Sequence, residues 1–522
     1  MPTFFNDGLD DTLAYDYVGN FAGGQASSVR ANLLQDGQYS ESRNMDIDKF
    51  GAIITRRGTE IIGSTLTNPI QGLVYMDTPS IEQLLAVSNG VVYKSTGGSW
   101  SSVSGYTPSA SNNVEAVQFF DKVYFSDSGG TNVHSYDGSS FTDEGDTGGD
   151  PPRGKFLASH TGRLFTANTP SADDEIQASD VLSASSGNWS SNYSFRVGKG
   201  EGDPITGIIS WYNFNLLVFK EHSIHIVATD PSQSSASAWS VHRVDNNVGC
   251  VSHRTIAQAG SDVFFLARDG VRTVQTILAG AQSSVSEPIS QSISDIIERI
   301  NWGNADTCCA KFWNNRYILS VPLDSATTPD HILVFNTVTK SWSGFWTGWT
   351  SRAFATTAFS GFPKLVMGHS DGKVVTWMDY VAAGSEVDAT FQDVGSDIPS
   401  HVVTRGLTFQ DVFSKKLGNH VELELRGSTP GADVELRAIA DESDEKVIHP
   451  STIITGITGV TLPANLTFVL PEDEIITRDY NMIPVNEFSE LQFRVFANSG
   501  KVHLRNIKAS AFMNSMTLEK TD

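Results

Sequence analysis

The feature that most constrains this chain is a short β-unit that recurs at nearly constant spacing. Each unit is a strand-like apolar run, a tight polar turn and a second run, as in LLAVSNGVVYKSTGGSW at 84–100 and VYFSDSGGTNVHSYDGSSF at 123–141. A period of about 40 to 55 residues is typical of the blades of a β-propeller, each of which is a small antiparallel sheet. Seven units are present, and their strands begin near residues 84, 123, 164, 216, 263, 317 and 365.

Two further features of the units support this interpretation. The turns SNG at 88–90, RDG at 268–270 and SDG at 370–372 place glycine after Asn or Asp, a pair that tolerates the positive φ angles of tight hairpins. The aromatic residue that ends many units is expected to pack between neighbouring blades. A further strand-like run precedes each unit, which gives three or four strands per blade; these runs lie at 72–76, 114–120, 155–160, 205–211, 255–260, 308–313 and 353–359.

We therefore predict an all-β fold built on a β-propeller of about seven blades. The number becomes six or eight if strands from both ends of the propeller complete a blade. Residues 1–65 do not follow the repeat and are predicted to form an N-terminal arm, then a hairpin across the turn at Arg57-Gly58, used for assembly contacts. The propeller is expected at 66–380. Residues 381–522 alternate apolar and polar positions between regular turns, which predicts a C-terminal β-sandwich domain.

One segment breaks the β pattern. The sequence SEPISQSISDIIERI at 286–300 predicts a short helix packed on the propeller between the fifth and sixth units, and a helix that binds a partner is the alternative. Its isoleucines form one stripe at helical spacing; they are Ile289, Ile293, Ile296, Ile297 and Ile300.

The net charge and the cysteine content exclude several classes of protein. The chain has 36 Lys and Arg against 59 Asp and Glu, a net charge of −23, which argues against a broad basic surface that grips phosphates. Cys250, Cys308 and Cys309 are too few for a disulfide framework and are predicted to be reduced, buried thiols of a protein folded in a cytosol. The first residues lack the features of a secretory signal, and we expect no membrane span.

The motifs that could carry chemistry are weak. His222 and His225 lie three apart on a predicted strand and so point to opposite faces, unlike ligands of one metal ion. Acidic groups such as 441–445 lack the calcium-loop pattern and are expected to be solvated turns, with weak calcium binding as the alternative. KSTGGSW at 94–100 resembles an Asp-box that lacks its Asp. We therefore predict no catalytic, cofactor-binding or metal-binding residue, and no enzyme.

Two stretches resemble a known group of virion proteins. They are QDGQYSESRNMDIDKFGAIITRRGTEIIG at 35–63, and GCVSHRTIAQAGSDVFFLARDGVRTV at 249–274 followed by SEPISQSISDII at 286–297. Both are similar to the tail nozzle or tail hub proteins of short-tailed bacteriophages, which are β-propeller virion proteins. The resemblance implies a structural subunit that forms a ring, expected as a hexamer, below the portal and adaptor. Such a ring retains the genome and then conducts it during ejection.

The same resemblance implies partners and a location. The partners are the adaptor and portal proteins, tail fibres or a needle, and double-stranded DNA that passes without sequence-specific contact. The location is the virion tail, after assembly in the host cytoplasm. A charge of −23 per subunit fits this role because an acidic lumen repels phosphates. Two alternatives stay open: a carbohydrate-binding or glycan-hydrolysing propeller, whose carboxylates would converge from loops, and a scaffold or adhesin without a DNA channel.

Overall fold

The computed structural model describes residues 13–48, 50–67, 69–277, 282–380, 387–427, 432–442, 444–454, 475–480 and 483–514. The described residues form many small antiparallel sheets and very little helix, so the predicted all-β class is confirmed. Residues 13–61 hold the first six strands, which are β1 (Leu13–Val18), β2 (Gly24–Gln25), β3 (Gln38–Arg43), β4 (Met45–Ile47), β5 (Ile53–Thr55) and β6 (Thr59–Ile61).

The next part of the chain forms a series of four-stranded antiparallel sheets in which consecutive strands pair in order. We number them from sheet 1. Sheet 1 contains β7 (Ile70–Thr78), β8 (Ile81–Ser88), β9 (Val91–Ser95) and β10 (Ser101–Val103). Sheet 2 contains β11 (Glu115–Phe119), β12 (Lys122–Ser126), β13 (His134–Tyr136) and β14 (Phe141–Asp143). Sheet 3 contains β15 (Phe156–His160), β16 (Arg163–Thr169), β17 (Ala172–Ala178) and β18 (Ser194–Arg196).

Four further sheets complete the series. Sheet 4 contains β19 (Ile205–Trp211), β20 (Asn215–Lys220), β21 (Ile224–Ala228) and β22 (Ser240–Asp245). Sheet 5 contains β23 (Ala257–Ala259), β24 (Asp262–Ala267), β25 (Gly270–Ile277) and β26 (Gln282–Val285). Sheet 6 contains β27 (Cys309–Trp313), β28 (Arg316–Val321), β29 (His331–Asn336) and β30 (Ser341–Trp346). Sheet 7 contains β31 (Ser351–Thr357), β32 (Lys364–His369) and β33 (Val374–Trp377), and its fourth strand is β6 from the N-terminal segment.

Neighbouring sheets pack face to face around a circuit. A buried apolar cluster lies between each sheet and the next, as where Leu85 of sheet 1 meets Phe125 of sheet 2. The last cluster joins sheet 7 to sheet 1 through Val366 and Ile70. The expected aromatic residues lie in these clusters; they are Trp100, Phe141, Trp189, Trp239, Trp342 and Trp377.

The last ten strands are β34 (Gln392–Asp393), β35 (Ser396–Asp397), β36 (Ser400–Thr404), β37 (Lys415–Gly427), β38 (Ala432–Ala440), β39 (Asp444–Ile454), β40 (Ile475–Tyr480), β41 (Asn486–Phe488), β42 (Leu491–Ser499) and β43 (Val502–Asn514). Strands β34 and β35 extend sheet 7 beyond β6, and the other eight form, with strands of the N-terminal segment, two sheets that share one apolar cluster. One sheet joins β37, β40, β41 and β43 with β1, β4 and β5, and the other joins β36, β38, β39 and β42 with β3. The second sheet is continuous with sheet 6, because β3 lies between β30 and β36.

The hairpin predicted across Arg57-Gly58 is wrong. Strand β5 pairs with β4 and β43, whereas β6 pairs with β33 and β34, so the two strands on either side of the turn belong to different sheets. Gly58 is held by its N–H, which donates to the carbonyl of Thr390. A side chain at this glycine would meet the carbonyl of Gln392 at 1.9 Å. Of the predicted N-terminal arm, residues 1–12 lie outside the described ranges, and Leu13–Val18 pairs along β43.

The helix predicted at 286–300 is confirmed in a shorter form. A 3-10 turn at Gln291–Ile293 leads into α1 (Ser294–Glu298) between sheets 5 and 6. Ile293, Ile296, Ile297 and Ile300 are buried in the cluster between these sheets, and Ile289 packs against it. No helix in the described ranges is long and apolar enough to cross a membrane. The other 3-10 turns are Ala31–Leu33, Ser191–Tyr193, Ala236–Ala238, His253–Thr255, Trp302–Thr307, Phe359–Gly361 and Asp388–Phe391.

Candidate functional site in the central cavity

The first strands of all seven sheets line one cavity of about 510 Å³. Small residues allow neighbouring first strands to lie close together: a Cβ at Gly72 would lie only 2.4 Å from the carbonyl of Val114. One exposed or half-buried residue from each first strand lines the cavity, and we call this set the central ring. Its members are Leu73, Val117, Ser159, Ile209, Gln258, Lys311 and Phe354.

The central ring contains four apolar residues, two uncharged polar residues and one cation. Leu73, Val117, Ile209 and Phe354 are half-buried, and each also packs against an apolar cluster between two sheets. Ser159 and Gln258 are exposed and uncharged. Lys311 is half-buried, and its ammonium has no hydrogen bond or ion pair with any described residue. Burial lowers the pKa of Lys311, because it disfavours the charged form.

Arg254 closes the cavity at the end where the first strands begin. This residue lies in the turn at His253–Thr255. Its Nη2 donates to the carbonyls of Gln71 (2.6 Å) and Val114 (2.7 Å), and its Nη1 donates to the carbonyl of Arg352 (3.1 Å). Its Nε donates to Oε1 of Glu115 at 2.6 Å. One guanidinium therefore joins sheets 1, 2 and 7 at the centre of the circuit.

The charges at this closed end balance each other. Burial acts to raise the pKa of the Glu115 carboxyl, but Arg254 and His253 outweigh it, so that the pKa lies below its ordinary value. The pKa of His253 is also lowered, because burial disfavours the imidazolium more than Glu115 favours it. The pair of Glu115 and Arg254 is thus neutral overall, and Lys311 is the unpaired charge of the cavity.

Two further cavities lie on the other side of Arg254. A cavity of about 370 Å³ shares Glu115, His253 and Arg254 with the central cavity. It continues through Lys155 into an outer polar cleft of about 620 Å³. Three cations line this cleft together with hydroxyl groups; two of them are paired, Arg153 with Asp146 and Arg196 with Asp174. The lining of the outer cleft consists of Ser128, Gly129, Arg153, Lys155, Asn168, Thr169, Pro170, Ser171, Ala172, Asp173 and Arg196.

The motifs that the sequence offered for chemistry do not line the central cavity. His222 is exposed, whereas His225 is buried with Nε2 3.1 Å from Oγ of Ser223, and burial lowers the pKa of His225 to about 4. No three His, Cys, Asp or Glu side chains in the described part of the chain are placed to hold a metal ion. The turn that resembles an Asp-box is held by Oγ of Ser95, which accepts hydrogen bonds from the N–H groups of Gly97 and Gly98.

Sequence reasoning missed the charged residues of the central cavity. Glu115 and Lys311 each stand in a strand-like apolar run, VEAVQFF and CCAKFW. A single charge inside such a run was the available signal, because it must face a cavity or a partner. Arg254 lies in a turn between strands and gave no comparable signal.

Comparison with known proteins gives little further information. No family model matches the chain, and no curated protein sequence matches it. Among solved structures, the chain is similar to the extracellular domain of a hybrid two-component system from B. thetaiotaomicron, with 11% sequence identity and a TM-score of 0.40. The match covers 61% of this chain and 39% of that one, so the chain spans about two fifths of the structure it matches. A similarity of this size supports neither a fold assignment nor a function.

Proposed function

We propose that this chain is a structural subunit of a bacteriophage tail. In this proposal the seven sheets are the blades of a β-propeller, with sheet 7 completed by β6. Copies of the chain form a ring, expected to be hexameric, which is the nozzle or hub below the portal and adaptor. The ring retains the genome and conducts it during ejection, and no bond-making chemistry is assigned to it. The observation that carries the proposal is an exposed apolar patch on three consecutive sheets.

This apolar patch lies at the end where the first strands finish. Phe120 is in the turn after β11 and is 53% exposed, while Tyr212 (57%) and Phe214 (54%) are in the turn after β19. Leu182, 68% exposed, lies between them because its N–H donates to the carbonyl of Gly162 in the turn after β15. Large exposed apolar side chains that gather at one end of neighbouring sheets are typical of a surface that another protein covers.

The charge of the chain determines what kind of contact can hold copies of it together. At −23 per chain, subunits repel one another. Stable association of copies therefore requires apolar contact, which the patch supplies, and a heterologous interface repeated around a ring needs only this one chain. The same acidic charge keeps DNA phosphates from adhering to the ring.

The interior of the subunit supports a channel between copies and not through one copy. Arg254 closes the central cavity by hydrogen bonds to three sheets, and its side chain is only 9% exposed. The ten-stranded sheet continues sheet 6 into β36 and β42, so hydrogen-bonded strands connect the series of sheets to the C-terminal strands. Such a connection suits a subunit that withstands the pressure of a packaged genome.

Electron microscopy and light scattering of the purified full chain test the proposal. We expect rings with a central hole wide enough for a DNA duplex. The double variant Tyr212→Ser, Phe214→Ser should be folded and monomeric. The control Phe413→Ser removes an aromatic side chain that is 97% exposed and lies outside the patch, and it should still form rings. A wild-type chain that remains monomeric at high concentration, or is absent from purified virions by mass spectrometry, would contradict the proposal.

The outer polar cleft favours a carbohydrate-binding propeller as the second candidate. Its hydroxyl groups and the exposed Lys155 suit a polar ligand. A glycan array probed with the wild-type chain and with Lys155→Ala distinguishes the two candidates. Binding of a defined glycan that Lys155→Ala abolishes, together with a monomeric wild-type chain, would replace the phage-tail proposal.

A further inference from the structure

We infer that the central cavity is a binding site for a small organic anion, a carboxylate with an apolar body, which pairs with Lys311. The site goes beyond the proposed ring. It lies within a single chain, so it does not require assembly.

The first support is the unpaired charge. Lys311 lies in the middle of β27 and lines the cavity, yet no described carboxylate lies within 4.0 Å of its Nζ. The chain contains 59 Asp and Glu against 36 Lys and Arg, so a partner for a cation is easy to supply in such a sequence. A half-buried ammonium without a partner is costly, and an anion that enters the cavity would remove that cost.

The second support is the chemistry of the wall. A volume of about 510 Å³ is within the range of small-molecule sites, which are mostly apolar with a few polar groups that fix orientation. Leu73, Val117, Ile209 and Phe354 supply the apolar part of the central ring, and Ser159 and Gln258 supply uncharged polar groups beside Lys311. This lining suits an apolar body that ends in one anionic group.

The third support is that Lys311 alone can hold the anion. All the donors of Arg254 that the structure places are directed at Glu115 and at backbone carbonyls. Glu115 lies beside Arg254 and keeps that end of the cavity neutral overall. A phosphate is recognised by several cations or by the fork of an arginine, and the cavity offers one ammonium. Because the cavity offers one unpaired cation, we expect a ligand with one negative charge, which is a monocarboxylate.

Binding to the full chain tests this inference by calorimetry at fixed ionic strength. The probes are benzoate and hexanoate, with benzamide and hexanamide as uncharged controls of the same shape. We expect saturable binding of the acids, at least tenfold weaker binding of the amides, and no competition by inorganic phosphate. Lys311→Met should weaken binding of the acids at least tenfold. The control Lys155→Met, which removes a lysine of the outer cleft, should leave it unchanged.

Several results would overturn the inference. They are equal binding of acids and amides, competition by phosphate, unchanged binding in Lys311→Met, and no binding of either acid to the wild-type chain. Lys311→Met also removes a half-buried charge and can change stability, so Lys311→Gln serves as a second variant. Binding to both variants is compared at a temperature where circular dichroism shows them folded. Failure of the ring in microscopy leaves this result unaffected, so the two proposals are tested separately.

Discussion

Arg56 and Asp393 form an ion pair between the strands that precede sheet 1 and the strands that follow sheet 7. Nη1 of Arg56 lies 3.0 Å from Oδ1 of Asp393, its Nη2 contacts the other carboxylate oxygen, and the two residues are 337 positions apart in the sequence. The guanidinium also donates to Asn44 and to the carbonyl of Thr347, and it lies 4.9 Å from the ring of Trp349. The Arg56 side chain is completely buried. One residue thus joins the N-terminal segment, the connection between sheets 6 and 7, and β34.

Replacement of Arg56 should strongly destabilise the chain. Arg56→Met leaves the Asp393 carboxylate without its cation, and breaking a buried pair in this way costs about 3–5 kcal/mol. Urea unfolding followed by fluorescence measures the loss. The control is Arg268→Ala, which breaks an exposed pair with Glu221 at 3.2 Å and should cost less than about 1 kcal/mol. Equal losses in the two variants would show that the pair of Arg56 and Asp393 contributes no more to stability than an exposed ion pair.

Replacement of Arg254, at the centre of the circuit of sheets, should destabilise the chain about as strongly as replacement of Arg56. Arg254→Met leaves Glu115, whose side chain is 17% exposed, without its partner, and we expect a loss of about 3–5 kcal/mol. The double variant Glu115→Gln, Arg254→Met removes the unpaired charge as well, so it should lose less than Arg254→Met alone. Urea unfolding of both variants measures the coupling. Additive losses would show that the two side chains do not act as a pair.

The sequence contained most of the local structure. The seven predicted runs near 84, 123, 164, 216, 263, 317 and 365 correspond to the second strands of sheets 1 to 7, each of which begins within three residues of the prediction. Alternating burial and Asn-Gly or Asp-Gly turns are local signals, and so is the isoleucine stripe of α1. For that reason they are readable without a structure.

Long-range pairing was not readable in the same way. Alternation predicts that Thr59–Ile61 is a strand, but it does not say that the strand pairs with Val374–Trp377. The predicted hairpin failed for this reason, since two neighbouring strands with a glycine between them usually pair with each other. The central cavity was equally hidden, because it depends on how seven first strands meet and not on any one of them.

The three thiols should be unreactive in the native protein. All three are buried, and burial raises the pKa of Cys250 to about 11 and that of Cys309 to about 12, while the pKa of Cys308 also lies well above its ordinary value. The thiolate is the reactive form. At pH 8 a disulfide reagent should therefore label none of the 3 cysteines of the native chain and all 3 after unfolding in urea. Rapid labelling of one native thiol would contradict the buried placement.

Glu490 should make the stability of the chain depend on pH. Its carboxyl is 9% exposed, and Oε1 has no hydrogen-bond partner among the described residues. Burial raises the pKa of Glu490 to about 7, and the carboxylates of Glu442 and Asp441 act in the same direction, opposed by Arg30. The ordinary pKa of a glutamate is about 4.3. The folded chain therefore binds this proton more tightly than the unfolded chain does.

The sign of the effect follows from this difference. The stabilising contribution of protonated Glu490 is fully present below about pH 4 and is lost as the pH rises through about 7. Glu490→Gln keeps a neutral side chain at every pH. Its stability should lie within about 1 kcal/mol of that of the wild-type chain at pH 4.5 and exceed it by about 2 kcal/mol at pH 8, a value reduced from the full shift because the carboxyl retains some access to water.

Urea unfolding midpoints at pH 4.5 and pH 8 measure this difference. Glu287→Gln is the matched control, since the Glu287 side chain is 96% exposed and the substitution should have the same small effect at both values of pH. If Glu490→Gln changes stability equally at pH 4.5 and pH 8, then folding does not raise the pKa of the Glu490 carboxyl. A gain confined to pH 8 would show that the folded chain tolerates Glu490 only at the expense of stability above neutral pH.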